Sequence, residues 1–425
     1  MRKIHLDKVD IDIYYEKLEN GLEVILIPDN SKKKYYMTYV TKYGSIDTSF
    51  TPYNEKKEIK TPDGIAHFLE HKMFEQVDGI DPFQFFAESG SVGNASTSFT
   101  STQYLCYGTK ECERNLEFLL SYVHDLYLTD ENVEKEKGII VEELKMYEDI
   151  PEYALQFAVI KNLYHTHPNR VDIGGTIESV TSTTKEQLET CYHTFYQPNN
   201  MFLIVAGNYD EEKVKDIVDR KLRSKKNASK KIKRKEYNEP KTVFKEKEII
   251  KRDIAIDKAA IAFKFEDLSL GKFKKEELDI YLSMISSLVF GEASSFREKA
   301  REKNLLNSFS YEWETIEDYH SLILYLESKD IDAFIEMVLE EVDNIKITSK
   351  DIDRIKKVWI ANSVKSTDHI RNIANVIYSD MIRYEKINEE PIKQIESVNK
   401  SKIDKLLNQM EFKYKTIVKL LPNEK

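Results

Sequence analysis

The stretch Gly64-Ile-Ala-His-Phe-Leu-Glu-His-Lys-Met-Phe carries two histidines four residues apart with a glutamate between them. It follows the turn signal Pro62-Asp63-Gly64 and reads as a helix. A helix stacks His67 and His71 on one face, one turn apart, where two imidazoles can share an ion. Glu70, three residues after His67, points toward the same side. It can reach a water beside such an ion without being a ligand, which is the place of a general base. Imidazoles joined by a carboxylate suit zinc, and three protein ligands leave a fourth position open to water. The expected chemistry is hydrolysis, with Glu70 taking a proton from water and passing it to a leaving amine.

The third ligand must come from another element. The run Glu131-Asn-Val-Glu-Lys-Glu-Lys-Gly-Ile-Ile-Val-Glu-Glu-Leu-Lys-Met spaces Val133, Ile140, Leu144 and then Tyr147 as the buried stripe of a helix. Glu136 and Glu143 lie two turns apart on one face beside that stripe, so both can look toward the histidine pair. Glu142 points about 100° away. Glu143 is the favoured ligand; most glutamates of this helix read as a solvated face.

These helices sit in an order of elements that repeats. In the first half a helix ending near Ser89 leads to Gly93-Asn-Ala-Ser-Thr, the strand Gln103-Tyr-Leu-Cys-Tyr-Gly, an amphipathic helix from Glu113 to Asp125, and Leu128-Thr-Asp opening the next helix. In the second half a charged helix around Arg301 leads to Ser308-Phe-Ser-Tyr-Glu-Trp, the strand Ser321-Leu-Ile-Leu-Tyr-Leu, a helix from Ile331 to Asn344, and Ile347-Thr-Ser. Thr129 and Thr348 take equivalent places as expected helix N-caps. The pattern predicts an α+β fold: two homologous α/β halves, each an antiparallel-rich sheet with helices packed on one face. The halves are expected at 1–222 and 242–425. Between them, 223–241 reads as a solvated basic linker with Lys225, Lys226, Lys230, Lys231, Lys233, Arg234 and Lys235. The second half acts as a control. Its stretch equivalent to His67–His71, Leu282–Phe290, has neither histidine nor acid, and the place of Glu143 falls near Asn362. The chemistry therefore belongs to the first half.

The 425 residues are 41% hydrophobic and 32% charged, a globular composition long enough for two domains. A formal net charge of −10 argues against nucleic acid as a partner. Cys106, Cys112 and Cys191 make neither a disulfide framework nor a zinc-knuckle spacing, which suits a reducing compartment. The first residues carry acids where a signal peptide would be apolar, and no run approaches the roughly 18 apolar residues of a membrane span. The expected location is cytoplasmic. There is no glycine-rich phosphate loop and no dinucleotide fingerprint. His165 and His167, in Tyr-His-Thr-His-Pro, read as surface residues rather than a second metal site.

Gly64-Ile-Ala-His-Phe-Leu-Glu-His followed by Glu136-Lys-Gly-Ile-Ile-Val-Glu-Glu-Leu resembles the pitrilysin/insulinase family of zinc peptidases, which carry this inverted motif. The likeness continues through Gly93-Asn-Ala-Ser-Thr, Phe195-Tyr-Gln-Pro-Asn-Asn-Met and Val205-Ala-Gly-Asn, and more loosely over the second half. It is nearest to short bacterial members that act beside a homologous subunit. The resemblance implies Zn2+ on His67, His71 and Glu143, with Glu70 as base and Glu136 as the acid supporting the ligands. It also implies a peptide substrate added as a strand along Gly93–Thr97, its backbone held by Asn94 and passing close over Ala95. Arg301 matches the arginine of a substrate-binding Arg/Tyr pair, but the tyrosine position holds Asn307 or Ser308, and Tyr311 is too far along to replace it. That departure implies a weakened peptidase or a pair supplied by another chain. The expected assembly is a heterodimeric clamshell with a homologue lacking the zinc motif, a homodimer being possible, whose chamber admits short or unfolded peptides. The alternative is a non-catalytic peptide-binding or assembly subunit.

Overall fold

The computed structural model describes residues 1–228, 231–265, 268 and 273–423, so Lys230 of the basic run lies outside the described residues. The chain divides into two compact units that interleave along the sequence. The first comprises 1–144, 171–236 and 364–389, and the second 145–170, 237–363 and 390–425.

The first unit is built on β1 (Arg2–Leu6), β2 (Ile11–Lys17), β3 (Glu23–Pro28) and β4 (Tyr35–Thr41), with β5 (Ser49–Thr51) and β6 (Ile59–Lys60) in a small side sheet. Then come β7 (Val92–Thr97), β8 (Thr102–Gly108) and β9 (Met201–Gly207). The main sheet has the order β1-β2-β3-β9-β4-β8-β7, antiparallel except for the β3/β9 pair. β9 is a continuous apolar run and β4 a largely apolar one, both buried throughout, as strands covered on both faces are. β7, at the edge, alternates exposed and covered residues.

One face of this sheet carries α1 (Ile65–Lys72), α2 (Pro82–Glu88), α3 (Cys112–Tyr122) and α4 (Asp130–Glu148). Their stripes meet in a core that includes Phe68, Leu69, Tyr104, Leu116, Val133 and Ile140. The Thr129 hydroxyl accepts the Asn132 N–H at 3.1 Å and caps α4; Thr348 accepts from Asp351 at 3.3 Å at the equivalent place. The opposite face is covered by the helix Ile370–Arg383 from far along the chain, through Ile370, Ile373, Ala374, Ile377 and Met381.

The second unit repeats the plan with β11 (Lys247–Arg252), β12 (Lys258–Phe265), β13 (Ser308–Ile316), β14 (Tyr319–Glu327) and β15 (Lys415–Pro422), in the order β11-β15-β12-β14-β13. It too has one parallel pair, β11/β15, and an antiparallel edge strand, β13. α5 (Pro151–Leu163) belongs here, packing Leu155, Val159 and Leu163 against Ala260, Ala262, Ile323 and Val418. The helices expected on one face of each sheet are thus joined by one more on the reverse.

Two expectations need correction. The basic segment is not solvated throughout. The short strand β10 (Lys233–Arg234) pairs with β5, and Arg234 Nε donates to the buried Asp47 carboxylate at 2.6 Å, placing a cation beside a buried anion. His167 is not at the surface. It is wholly buried, with Nδ1 2.7 Å from Asn169 Oδ1 and Nε2 3.2 Å from Glu317 Oε2. Beside it, Glu239 accepts the backbone N–H groups of His165, Thr166 and His167 at 2.7, 2.7 and 2.9 Å, and Lys264 Nζ at 2.7 Å.

Candidate metal centre

α1 begins on Gly64 at φ 82°, a left-handed conformation that favours glycine; a Cβ there would also lie 2.2 Å from the Gly174 carbonyl oxygen. The helix buries Ile65, Ala66, Phe68 and Leu69, so its register on the core is fixed. His67 and His71 consequently share the other face, their ring centroids 4.5 Å apart and 67° from coplanar. α4, fastened by Val133, Ile140 and Leu144, brings Glu136 and Glu143 to the same place. Glu143 Oε2 lies 3.9 Å from His67 Nε2 and 3.4 Å from His71 Nε2. One donor atom from each of the three residues lies within 4.8 Å of the others.

The separations fit a shared ion better than direct bonds. Donors around a tetrahedral zinc at bond lengths of 2.0–2.1 Å stand about 3.3 Å apart. Both Nε2···Oε2 distances exceed a good hydrogen bond, yet the three residues keep a donor atom each within 4.8 Å of the others. His67 Nδ1 is buried with no hydrogen-bond partner among the described residues, so its ring is oriented by packing and offers Nε2. The side chains of His67, His71 and Glu143 remain 16%, 24% and 25% exposed, so each is in part open to solvent.

The electrostatics follow from burial and pairing. Burial, with His71 close by, pushes His67 down to about 3 against the opposing pull of Glu136, which keeps the imidazole neutral and able to ligate. Burial would lower His71 too, but its 3.0 Å contact with Glu136 and the nearby carboxylates hold it above the ordinary histidine value. Glu136 is driven up by burial and further down by His71, Lys72 and Lys135, ending below the usual glutamate value. Glu70 is raised by burial, although Thr97 Oγ1 donates to its Oε2 at 2.5 Å and works the other way. A buried carboxylate of raised basicity is a better proton acceptor than an exposed one.

The structure brings His67, Glu70, His71, Glu136 and Glu143 together. Of the expected substrate-strand residues, Ala95 pairs with Tyr104 and packs on the core side of β7 that also presents Thr97 to Glu70. Asn94 pairs with Leu105 and takes the reverse face; its Oδ1 accepts the N–H of Ala95 at 2.9 Å. Arg301 lies in the second unit, on the exposed side of the helix Ser295–Glu302, with Nη2 3.0 Å from Glu292.

Three contributors were missed from the sequence. Thr97 holds Glu70, and the strand alternation past Ala95 was its signal. The loop at Gly174 and Gly175 closes over α1: a Cβ at Gly174 would lie 2.8 Å from Leu144 Cδ2 and 3.7 Å from His67 Nδ1. Ser179 Oγ donates to the Asp63 carbonyl at 2.7 Å and ties the same junction. The paired glycines were the available clue. The third, Lys72, is a wholly buried lysine on the apolar stripe of α1.

Comparison with known proteins places the chain in a family. Residues 54–176 match the model of the insulinase family (peptidase family M16), and residues 182–358 match that of the peptidase M16 inactive domain. The chain is 38% identical over 384 residues to a Bacillus subtilis protein named uncharacterized zinc protease YmfH, covering 88% of each. A second B. subtilis protein, uncharacterized zinc protease YmxG, is 26% identical over 83% of this chain and 87% of its own length. Among solved structures, a putative M16-like peptidase from Alicyclobacillus acidocaldarius superposes with a TM-score of 0.90 at 28% identity, covering 97% of this chain and 99% of the other. Pitrilysin matches in fold, with a TM-score of 0.79 at 16% identity, the whole chain covering 47% of its length.

Proposed function

The chain belongs to the insulinase family of M16 peptidases, and from that premise and the geometry of α1 and α4 we propose that it is a zinc-dependent endopeptidase acting on short or unfolded peptides. His67, His71 and Glu143 would hold the ion. When bound, zinc supplies Lewis acidity, polarising a carbonyl and acidifying water. Glu70 takes the proton of the attacking water and delivers it to the leaving amine, while Thr97 fixes the carboxylate oxygen that does not carry it. Glu136 orients His71 through Nδ1.

β7 is an edge strand, with one flank free of main-chain pairing among the described residues, and a peptide can add there as a further strand. The small Ala95 leaves room for its approach. Asn94 is assigned to the peptide backbone, and to serve there it exchanges its bond with the Ala95 N–H for one to substrate. Arg301 contributes to substrate binding without the family tyrosine, so we assign the missing partner to a homologous subunit in a two-chain assembly. No helix among the described residues is long and apolar enough to cross a membrane. The three cysteines are free and buried, which supports a reducing, cytoplasmic setting.

The convergence of His67, His71 and Glu143 on one point beside Glu70 carries this reading. The test is metal analysis of the purified chain and peptide hydrolysis by the unchanged protein against Glu70→Gln. One zinc per chain with hydrolysis that requires Glu70 is expected. Tight zinc without Glu70-dependent cleavage of any peptide would favour a non-catalytic subunit, the reading that Asn307 and Ser308 support.

A further inference from the structure

The stripe that fastens α1 runs through Ile65, Phe68 and Leu69 and reaches Lys72 one turn later, where no part of the side chain is exposed. A lysine in such a position costs desolvation unless its ammonium is paired. Lys72 Nζ lies 2.7 Å from Glu75 Oε2, donates to the Asn132 carbonyl at 3.2 Å, and stands 3.7 Å from Glu136 Oε2. Glu136 commits its other oxygen, Oε1, to His71 Nδ1 at 3.0 Å. Glu75 has the closer hold on the lysine, which leaves Glu136 closer to the histidine than to the ammonium. A line of side chains, Glu75–Lys72–Glu136–His71, therefore ends on the ring whose Nε2 faces Glu143 at 3.4 Å.

We propose that Lys72 is a positioning residue for metal binding: anchored on Glu75, its ammonium fixes the Glu136 carboxylate so that Oε1 stays on His71 Nδ1 and His71 Nε2 is turned toward Glu143. The inference rests on the zinc reading of the triad and extends it to a residue that touches neither ion nor substrate. Methionine at this position would fill the stripe with a stem of similar length and keep the packing of α1. It would also release Glu136 to rotate.

The experiment measures zinc affinity by chelator competition and the visible absorption of the Co2+-substituted full chain. It compares the unchanged protein with Lys72→Met, Glu136→Gln, their combination, and Glu75→Gln. Lys72→Met is expected to weaken zinc binding by about 10–100-fold, the range for partners that orient a ligand, and to alter the Co2+ bands. The double variant should bind no more weakly than Glu136→Gln alone, because Lys72 acts through Glu136. Glu75→Gln should show a smaller loss. Unchanged affinity in Lys72→Met, or a loss that adds in full to that of Glu136→Gln, overturns the proposal while zinc binding by the parent still stands. If Lys72→Met does not fold, Glu75→Gln decides, and parental affinity there overturns it. A parent chain that takes up no zinc overturns the metal reading itself, and the proposal with it.

Discussion

Each unit buries a lysine against a glutamate, and the two pairs differ in what they leave unsatisfied. In the second unit, Glu239 is surrounded by three backbone N–H groups and Lys264, which itself also donates to the Leu163 carbonyl at 2.9 Å. These contacts serve each other, and the cluster is a clasp that ties residues 163–167 to β12. In the first unit, Lys72 and Glu136 pass their interaction on to His71, and the network ends with Nε2 atoms and a carboxylate oxygen facing one another at non-bonding distance. Buried charge alone therefore does not mark a site. Two imidazoles and a carboxylate with donor atoms within 4.8 Å of one another are the stronger mark.

The helices tell the same story. α1 presents His67, Glu70 and His71, whereas the second unit's helix Lys275–Phe290 buries Leu282, Met284, Ile285, Leu288, Val289 and Phe290 at the corresponding stretch. Buried ionisable groups cost stability where apolar side chains contribute it. The corresponding stretch thus carries candidate metal donors in one unit and packing side chains in the other.

The sharpest way to break this comparison is at the base. Glu70→Gln removes the proton acceptor and keeps the shape, so zinc content should hold while kcat falls by about 10²–10⁴-fold. Residual hydrolysis at the parental rate would remove Glu70 from the reaction. Next in size, Glu143→Gln deletes a donor from the converging set. Zinc affinity should drop by more than the ~10–100-fold expected of a supporting residue. Equilibrium dialysis showing parental affinity would exclude Glu143 as a ligand.

Much of this was legible in the sequence because it is local. The spacing of His67, Glu70 and His71 needs only a helix, and the seven-residue interval from Glu136 to Glu143 needs only a second. The repeated order of elements was readable for the same reason. What was not legible depends on contacts between distant segments. α5 and Ile370–Arg383 have apolar stripes, but periodicity shows that a face is buried without naming the sheet that covers it. His167 looked like a loop residue because its partner Glu317 is 150 positions away. Lys72 gave no signal because its counterions come from a turn and from another helix.

The Glu239 clasp sharpens the comparison from the other side, through pH. Burial alone would raise Glu239, but Lys264 and the N–H groups of residues 165–167 outweigh it and bring the carboxyl down from 4.5 to about 2. A depressed carboxylate contributes stability in full above its unfolded value and loses it as pH falls through the folded one. Its contribution should therefore be complete above pH 4.5 and fade toward pH 2. Glu239→Gln removes the carboxylate charge beside a buried ammonium and should cost ~3–5 kcal/mol at neutral pH, with the deficit shrinking below pH 4.5. Denaturant titrations across that range measure it, and a deficit independent of pH would refute the assignment.

The smallest expected effect tests how closely the centre is packed. Gly174 lies over His67, and a methyl there would come 2.8 Å from Leu144 Cδ2, next to Glu143 in sequence. Backbone strain is not at issue, because only its neighbours Gly64 and Gly175 have positive φ, at 82° and 83°. Gly174→Ala must therefore act by displacing the Leu144 side chain or the loop itself, at the ~1–3 kcal/mol usual for overpacking. A shift of a few tenths of an ångström would disturb Glu143 or His67 without removing either donor. Zinc affinity should fall by a few-fold, with the fold intact by circular dichroism. An equal loss of stability with parental zinc affinity would mean that the loop supports the core and leaves the centre alone.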